Sequence, residues 1–291
     1  MTVLFSVVPV FCYHPLLIRH ARTLGIVRSI EPGQMSNSRL TSLPTRLIVS
    51  LIFFLLLGSA AHAQQQNSLS DVVSHRPRAI VIGFMGGNVA PDDIIRNELI
   101  MSDRLRASYP QGVYFEVFEN RRLEAAHEKI LQLLGVVPGR VSQPAGKFPE
   151  QIILYGHSWG ASAVVTLADE LRKDGVPVTL TVQVDSIEKK GQQDGVIPSN
   201  VVRAVNFYQP DGFLHGRTEI RAADPSVTQI LGNFRITYKD IPPECSAYPW
   251  YERKFIKTHI AIECDPRLWN RIEGLIRDSL GQPSNETASS R

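Results

Sequence analysis

A serine stands between two glycines in the stretch QIILYGHSWGASAVV, residues 151–165. The motif Gly-His-Ser-Trp-Gly, residues 156–160, follows a short apolar run and precedes a segment of helix length. A serine on a sharp turn between a buried strand and a helix exposes its hydroxyl for nucleophilic attack. Flanking glycines permit the close approach of strand and helix that such a turn requires. The pattern predicts Ser158 as a nucleophile, against the alternative of an ordinary tight turn.

The predicted helix after this motif bears on the chemistry of the serine. A serine hydroxyl is a poor nucleophile at its own pKa, so it needs a base beside it. The N-terminus of the helix offers free N–H groups and the positive end of the helix dipole to a developing oxyanion. The backbone N–H of Trp159 is therefore one predicted oxyanion donor.

The motif and its surroundings resemble the α/β-hydrolase superfamily, in its serine esterase and lipase branch, where Gly-His-Ser-x-Gly is frequent. The resemblance covers roughly residues 78–280. It implies a mostly parallel sheet with helices on both faces. It also implies that an acid and then a histidine follow the serine in chain order.

Two histidines after Ser158 are candidates for the base that the resemblance implies. His259 lies just before the last predicted helix, where the family carries its histidine on a loop, and it is preferred. His215, one loop earlier, is the alternative base. His157, beside the nucleophile, is interpreted as shaping the turn and not as transferring a proton.

The acid implied by the resemblance has two candidates. Asp185 ends the predicted strand VTLTVQVD, and its Val-Asp-Ser context resembles the Leu-Asp-Pro pattern of relatives whose aspartate has this role. Asp211 follows the next predicted strand and is the alternative. Asp265 comes after His259 and is better explained as the N-cap of the last helix.

A second oxyanion donor is implied in the loop after the first predicted strand, which reads Gly-Phe-Met-Gly-Gly at residues 83–87. Phe84 or Met85 is the predicted donor, although the sequence lacks the His-Gly-Gly-Gly form of this loop. A phosphate site is disfavoured because neither the Gly-x-Gly-x-x-Gly nor the Walker pattern is present.

The elements that must position these residues alternate between strand and helix. Apolar runs predict strands at 78–84, 113–119, 151–156, 178–185, 201–209 and, less regularly, 233–239. Helical patterns lie at 94–107, 121–135, 161–175 and 265–280, the last with Pro266 in its first turn. The alternation predicts an α/β fold with a mostly parallel sheet, in a single domain over residues 64–281. The tail 282–291 is polar and predicted to be disordered.

Composition excludes some classes of function. The 43% hydrophobic and 20% charged residues are typical of a globular protein. Residues 1–63 hold five of the 31 basic and one of the 28 acidic residues, so the rest of the chain has a net charge of −1. This near-neutral remainder argues against nucleic acid or an anionic membrane as partner. With no Cys-x-x-Cys pair and no histidine-rich cluster, we predict no metal and no cofactor.

The first 63 residues are predicted to be a leader. The apolar run LIVSLIFFLLL, residues 47–57, has arginines before it and the cleavage pattern Ala-His-Ala after it, so Gln64 would begin the mature chain. This signal predicts export to the periplasm or the medium. An uncleaved N-terminal membrane anchor is the alternative, although the run is short for a membrane span. A start at Met35 would give a signal of ordinary length.

Two cysteines, Cys245 and Cys264, remain after the leader and predict one disulfide in an exported protein. The bridge would close a loop of about 20 residues around His259, worth roughly 3 kcal/mol in the chain-entropy model. Two buried free thiols are the alternative. The aromatic residues at 248–251 either line an apolar pocket or pack locally.

These residues predict an exported serine hydrolase that cleaves carboxylic esters, with acyl lipids among the candidate substrates. Ser158 would attack, His259 would act as general base and Asp185 would orient it. Thioesterase and amidase activities stay open because the same triad serves them. The alternative is a catalytically silent binding protein with the same fold. The presence of all three residues favours the enzyme, whose partner would be a small-molecule or lipid ester.

Overall fold

The computed structural model describes residues 76–89, 93–136 and 150–282. All of them belong to one unit, which runs from His62 to Arg291. The predicted leader, its cleavage site and all but the first residue of the predicted tail lie outside the described residues, so the domain boundaries stay a prediction. Within the described ranges, no helix is long and apolar enough to cross a membrane.

A six-stranded parallel sheet forms the centre of the fold, which confirms the predicted α/β class. Its strands are β1 (Ala79–Met85), β2 (Val113–Glu119), β3 (Gln151–His157), β4 (Val178–Val184), β6 (Val201–Tyr208) and β8 (Gln229–Arg235). They lie in the order β2-β1-β3-β4-β6-β8. Two short strands, β5 (Val196–Ile197) and β7 (Arg221–Ala222), pair with each other in a separate parallel ladder.

Helices cover the sheet on both faces. They are α1 (Asn97–Ser108), α2 (Leu123–Leu134), α3 (Trp159–Lys173), α4 (Trp250–Phe255), α5 (Lys257–Cys264) and α6 (Pro266–Leu280). On one face, α2 and α3 bury side chains such as Ile130 and Leu167 against the sheet. On the other face, α1 and α6 bury side chains such as Leu105 and Trp269. Apolar residues on both sides of the strands make this two-sided cover favourable.

Local sequence signals determine where two helices begin or end. Helix α2 stops at Gly135, whose φ of 64° lies in the left-handed region that glycine adopts most readily. Asp265 is the N-cap of helix α6, and its carboxylate accepts a hydrogen bond from the backbone N–H of Arg267 at 3.0 Å. Pro266 occupies the first turn of α6. These ends agree with the sequence prediction.

Other segments differ from the predicted elements. Helix α1 begins at Asn97, three residues later than predicted. The last strand covers 229–235 and not 233–239, because its pairing with β6 runs from Gln229 to Arg235. Residues 257–264, for which the resemblance implied a loop, form α5. A helix there lets Ile260 and Ile262 enter two different apolar clusters.

The carboxyl ends of all six strands meet at one edge of the sheet, because every pair of neighbours is parallel. From β1 the chain passes to β2 on one side, whereas β3 lies on the other side of β1. Ligand sites in open α/β sheets lie outside the carboxyl ends of the strands at such a switch in order. The segments after β1, β3, β4 and β6 are therefore the candidate functional segments.

Candidate active site

Ser158 lies on the turn between β3 and α3, at the carboxyl edge of the sheet. Its backbone angles, φ 57° and ψ −123°, fall in a region that residues other than glycine rarely occupy. The backbone N–H of Ser158 donates to the carbonyl oxygen of Val184 at 2.9 Å, which ties the turn to the end of β4. A strained strand-to-helix turn of this kind presents the serine hydroxyl at the sheet edge.

Close backbone packing explains the glycines on either side of Ser158. A Cβ atom at Gly156 would lie 2.6 Å from the carbonyl carbon of Gly160. A Cβ atom at Gly160 would collide with the backbone carbonyl of Phe84, in β1. A larger residue at either position would therefore push α3 away from the sheet, as the motif predicted.

A chain of hydrogen bonds joins Ser158 to a histidine and an aspartate. Nε2 of His259 lies 2.8 Å from Oγ of Ser158, and Nδ1 of His259 lies 2.7 Å from Oδ2 of Asp185. All three residues are buried. They come from three separate parts of the chain: the turn after β3, helix α5 and the end of β4. The structure thus brings together the three residues that the sequence analysis preferred.

Asp185 is held in place by hydrogen bonds from the segment after β6. Its Oδ1 accepts from the backbone N–H of Gly216 at 2.7 Å and of Gln209 at 3.2 Å. Its Oδ2 accepts from the side-chain amide of Gln209 at 2.9 Å. A Cβ atom at Gly216 would collide with the backbone of Asp185. Sequence reasoning missed Gln209 and Gly216. The one feature of the sequence that could have indicated them is their position after β6, whose carboxyl end lies at this edge of the sheet.

The alternative acid and base do not join this chain of hydrogen bonds. Asp211 lies 3.8 Å from the ammonium group of Lys239, measured from Oδ1 to Nζ. His215 is exposed, and its Nδ1 lies 3.5 Å from the carbonyl oxygen of Gly216. Among the described residues, neither forms a hydrogen bond with His259 or Ser158.

The predicted oxyanion donors lie at the ends of two neighbouring elements. Trp159 is the first residue of α3, so its N–H belongs to the free N-terminus of that helix. Phe84 and Met85 are the last two residues of β1. The next residue, Gly86, is so close to the nucleophile that a Cβ atom there would lie 3.1 Å from Cβ of Ser158. The donor role of these residues stays a prediction.

Asn120 holds the segment after β1, and sequence reasoning missed it. Its side-chain amide donates to the carbonyl oxygens of Met85, at 3.2 Å, and of Gly87. Its Oδ1 accepts from Nζ of Lys189 at 2.8 Å. That ammonium group lies 5.6 Å from the centre of the Trp159 ring. The two segments that carry the predicted oxyanion donors are therefore linked by side chains.

His157, which precedes the nucleophile, lies in a buried polar cluster. Its ring centre is 4.6 Å from the ring centre of His259. Its Nδ1 is 3.5 Å from Oε2 of Glu263 and 4.0 Å from Oε1 of Glu98. Both ring nitrogens of His157 and both carboxylate oxygens of Glu98 lack a hydrogen-bond partner among the described residues. Besides its place in the turn, His157 therefore belongs to a buried cluster with His259, Glu98 and Glu263.

Burial determines the protonation of this cluster. It raises the pKa of Glu98 to about 7. Burial and the charge of Glu98 raise the pKa of Glu263 to about 8. Burial, together with the neighbouring His259 and Arg96, lowers the pKa of His157 well below its usual range. At neutral pH, His157 is therefore neutral and the pair of glutamates retains a proton.

Arg96 supplies the positive charge beside this cluster. Its guanidinium contacts the carboxylates of Asp93, Glu252 and Glu263 at 2.9, 3.0 and 3.1 Å. It also lies 4.8 Å from the ring centre of Tyr248. Three carboxylates therefore surround one guanidinium. No sequence signal distinguished this buried arginine from a surface arginine.

Cys245 and Cys264 lie at disulfide distance, with their Cα atoms 5.7 Å apart, as predicted. The bridge attaches the end of α5 to the segment before α4. Tyr248 is buried against Cys264, so this aromatic residue packs locally and does not line an open pocket. A cavity of about 580 Å³ beside this segment is lined in part by Cys245 but not by Ser158.

Comparison with known proteins gives distant structural likenesses. No protein-family model and no curated protein matches the chain. A cutinase-like protein from Cryptococcus sp. is similar over 72% of this chain and 98% of its own, at 15% identity and a TM-score of 0.38. A candidate YdeN-like hydrolase from Pectobacterium atrosepticum is similar over 58% of this chain and 80% of its own, at 14% identity and a TM-score of 0.29.

An uncharacterized protein from Pseudomonas aeruginosa is also similar, at 11% identity and a TM-score of 0.32. The likeness covers 62% of this chain and 43% of that protein. Because all three TM-scores are below 0.5, no activity of this chain follows from these likenesses. Its chemistry rests on the geometry of its own residues.

Proposed function

We propose that the protein is a serine hydrolase that cleaves carboxylic esters through an acyl-enzyme intermediate. The observation that carries the proposal is the hydrogen-bond chain from Ser158 through His259 to Asp185, with steps of 2.8 and 2.7 Å. A nucleophile within reach of a base, which a third group orients in turn, is the arrangement that activates a serine. The strained backbone of Ser158 supports the same role.

The first half-reaction acylates the enzyme. Nε2 of His259 accepts the hydroxyl proton as Oγ of Ser158 attacks the carbonyl carbon of the ester. The backbone N–H of Trp159, with one N–H from Phe84 or Met85, donates to the oxyanion that forms. The C–O bond to the leaving alcohol then breaks, and His259 gives its proton to that alcohol.

The second half-reaction uses water in place of the alcohol. His259 accepts a proton from water as the water oxygen attacks the acyl carbon, and returns the proton to Oγ of Ser158 as the carboxylic acid leaves. Asp185 keeps the proton on Nδ1 of His259 and stabilises the imidazolium that forms in both halves. Gln209 and Gly216 hold the carboxylate of Asp185 so that it cannot turn away from the ring.

A fluorophosphonate probe tests the proposed activity. We expect the probe to label the wild-type protein and not Ser158→Ala, because an activated serine attacks the phosphorus of the probe, fluoride leaves and a phosphonate ester of the serine forms. His215→Ala is the matched control, since His215 lies outside the hydrogen-bond chain, and it should be labelled as the wild type is. Absence of label on folded wild-type protein would instead support a silent binding protein.

The proposed substrate is an ester with an apolar acyl group, and acyl lipids are included. Exposed aromatic side chains support this choice: Phe213 in the segment after β6 is 98% exposed, and Trp250 and Phe255 in α4 are 64% and 67% exposed. Trp250 packs against the exposed Tyr251, with ring centres 6.1 Å apart, and exposed apolar patches mark binding surfaces. A panel of esters from short to long acyl chains, with one thioester and one amide, measures the preference as kcat/KM. A preference for the shortest ester, or for the amide, would contradict this choice.

We further propose that the protein is exported. The predicted leader and the disulfide between Cys245 and Cys264 support this, because disulfides persist in oxidising compartments. After expression of the full chain in a host with a secretion pathway, the exported fraction should contain a species whose mass corresponds to a start at Gln64. A full-length species in the membrane fraction would support the anchor instead.

A further inference from the structure

We propose that Glu98, His157 and Glu263 form a proton-sharing support that positions His259 for the proposed reaction. The two glutamates hold one proton between them, His157 stays neutral, and its ring keeps the imidazole of His259 turned towards Ser158. The inference rests on the proposed function, because it concerns the orientation of the base in that reaction. The three are positioning residues, since none of them touches the reacting atoms.

The support joins the two segments that carry the nucleophile and the base. His157 directly precedes Ser158 at the end of β3. Glu263 follows His259 by four residues on α5, and residues with this spacing lie on the same face of a helix. The backbone carbonyl of Glu263 accepts from the side-chain amide of Asn97 at 2.8 Å, which fixes this turn of α5. A displacement within the cluster would therefore move His259 relative to Ser158.

The charges around the cluster require a proton on one glutamate. Arg96 already contacts the carboxylates of Asp93, Glu252 and Glu263. In the described part of the chain, no other lysine or arginine forms an ion pair with Glu98 or Glu263. An ionised Glu98 would be disfavoured, because burial opposes its charge more than the backbone N–H groups of Glu98 and Gly86 and the charge of Arg96 favour it. Glu98 therefore shares the proton.

The groups that face His157 keep it uncharged. Burial, the neighbouring His259 and the charge of Arg96 lower the pKa of His157, so a positive charge on its ring is disfavoured. The hydroxyl of Tyr248 is buried, and burial raises the pKa of that group, so it adds no charge. The neutral ring of His157 lies at 34° to the ring of His259. Contact between the two rings restricts the rotation of His259.

A metal ion is the alternative occupant of the cluster. Glu98, His157 and Glu263 each offer one ligand atom, and these atoms lie within 4.8 Å of one another. Arg96 opposes a metal because its Nη1 donates to both oxygens of Glu263, at 3.1 and 3.2 Å. A guanidinium in this position repels a cation. The arrangement of charges thus favours a proton over a metal ion.

The test compares the wild type with Glu98→Gln, whose amide imitates a protonated carboxyl group, and with Glu98→Ala, which removes the group. Glu150→Gln is the matched control, because Glu150 is also buried but precedes β3, at the other end of that strand from His157. The measurements are kcat and KM on one ester, and the thermal midpoint, from about pH 5 to pH 9.

We expect Glu98→Gln to keep kcat within about twofold of the wild type at pH 7. Glu98→Ala should lose about tenfold in kcat with little change in KM, because a misplaced base affects the chemical step. In the wild type, kcat should fall at alkaline pH as the shared proton leaves, and in Glu98→Gln this fall should move to higher pH. The thermal midpoint of Glu98→Gln should decrease less between about pH 6.5 and 8.5. The control should follow the wild type.

Identical pH profiles and midpoint slopes for wild type and Glu98→Gln would overturn the proposal. A stoichiometric metal ion in the wild type that Glu98→Gln lacks would also overturn it. If neither variant folds, carbon-13 NMR of the glutamate carboxyl groups in the wild type decides: a protonated carboxyl at neutral pH supports the proposal and none contradicts it. An inactive wild type would contradict the proposed function separately, since the midpoint slopes still report the shared proton.

Discussion

At the scale of single residues, contacts and not residue type separate the two candidate acids. Asp185 and Asp211 are both aspartates just after neighbouring strands. Asp185 accepts hydrogen bonds from Gln209 and Gly216 and lies 2.7 Å from the ring of His259. Asp211 lies beside the more exposed Lys239. Under the proposed mechanism, only the first of these carboxylates keeps the histidine in the tautomer that removes the serine proton.

Asparagine substitutions test this distinction. In Asp185→Asn we expect kcat to fall by roughly 10³ to 10⁴, because an amide that donates to Nδ1 would favour the wrong tautomer. KM should change little. Asp211→Asn should keep kcat within about twofold. Steady-state kinetics on one ester measure both, and similar losses in the two variants would contradict the assignment of the acid.

At the scale of elements, a disulfide and apolar packing hold α5 in place. The disulfide holds its last residue, Cys264, to Cys245, in the segment before α4. Ile260 and Ile262 pack into separate apolar clusters on different sides of the helix. His259 directly precedes these attachments on the same helix, so the base is carried by a short helix that is fixed at several points.

Reduction of the disulfide tests this element. With the bridge reduced, or in the variant Cys245→Ser with Cys264→Ser, we expect the free energy of unfolding to fall by roughly 3 kcal/mol, as the chain-entropy model gives for a loop of this size. We also expect kcat to decrease, because α5 loses one of its attachments. Urea unfolding and ester kinetics measure the two effects. An unchanged midpoint with unchanged activity would show that the bridge does not fasten the helix of the base.

At the scale of the whole molecule, the buried cluster links stability to pH. The pKa values of Glu98 and Glu263 are raised from 4.5 to about 7 and about 8, so their contribution is complete below about pH 4.5 and lost as the pH rises through 7 to 8. The pKa of His157 is lowered from 6.5, so its contribution is complete above about pH 6.5 and lost below it. Below about pH 6.5 the glutamates increase the stability as the pH falls, whereas His157 decreases it. Above about pH 6.5 the effect of the glutamates remains.

The thermal midpoint should therefore decrease between about pH 6.5 and pH 8.5 at constant ionic strength. Differential scanning fluorimetry of the wild type measures this dependence. In His157→Gln, the thermal midpoint at about pH 5 relative to that at about pH 6.5 should be higher than in the wild type, because no neutral histidine remains that is protonated on unfolding. A wild-type midpoint that rises across the alkaline range would contradict the protonation assigned to the glutamates.

The sequence alone determined the parts of this protein that depend on local patterns. Apolar runs and helical periodicity predicted the alternation of strands and helices, since burial on both faces requires such residues in β1, β3 and β4. The glycines around Ser158 predicted the tight turn, and the chain order that the resemblance to the α/β-hydrolase superfamily implies favoured Asp185 and His259. These inferences need no contact between distant residues, so one sequence was sufficient for them.

The tertiary structure alone decided what depends on segments far apart in the chain. The roles of Gln209, Gly216 and Asn120 follow from hydrogen bonds across the carboxyl edge, which no local pattern specifies. Arg96 lies 167 residues before Glu263, yet the two are paired in a buried site. Burial changes the charge of such groups, and burial is a property of the packed molecule. For that reason the contacts of His157 with Glu98 and Glu263, and the lowered pKa of its ring, became evident only in the tertiary structure.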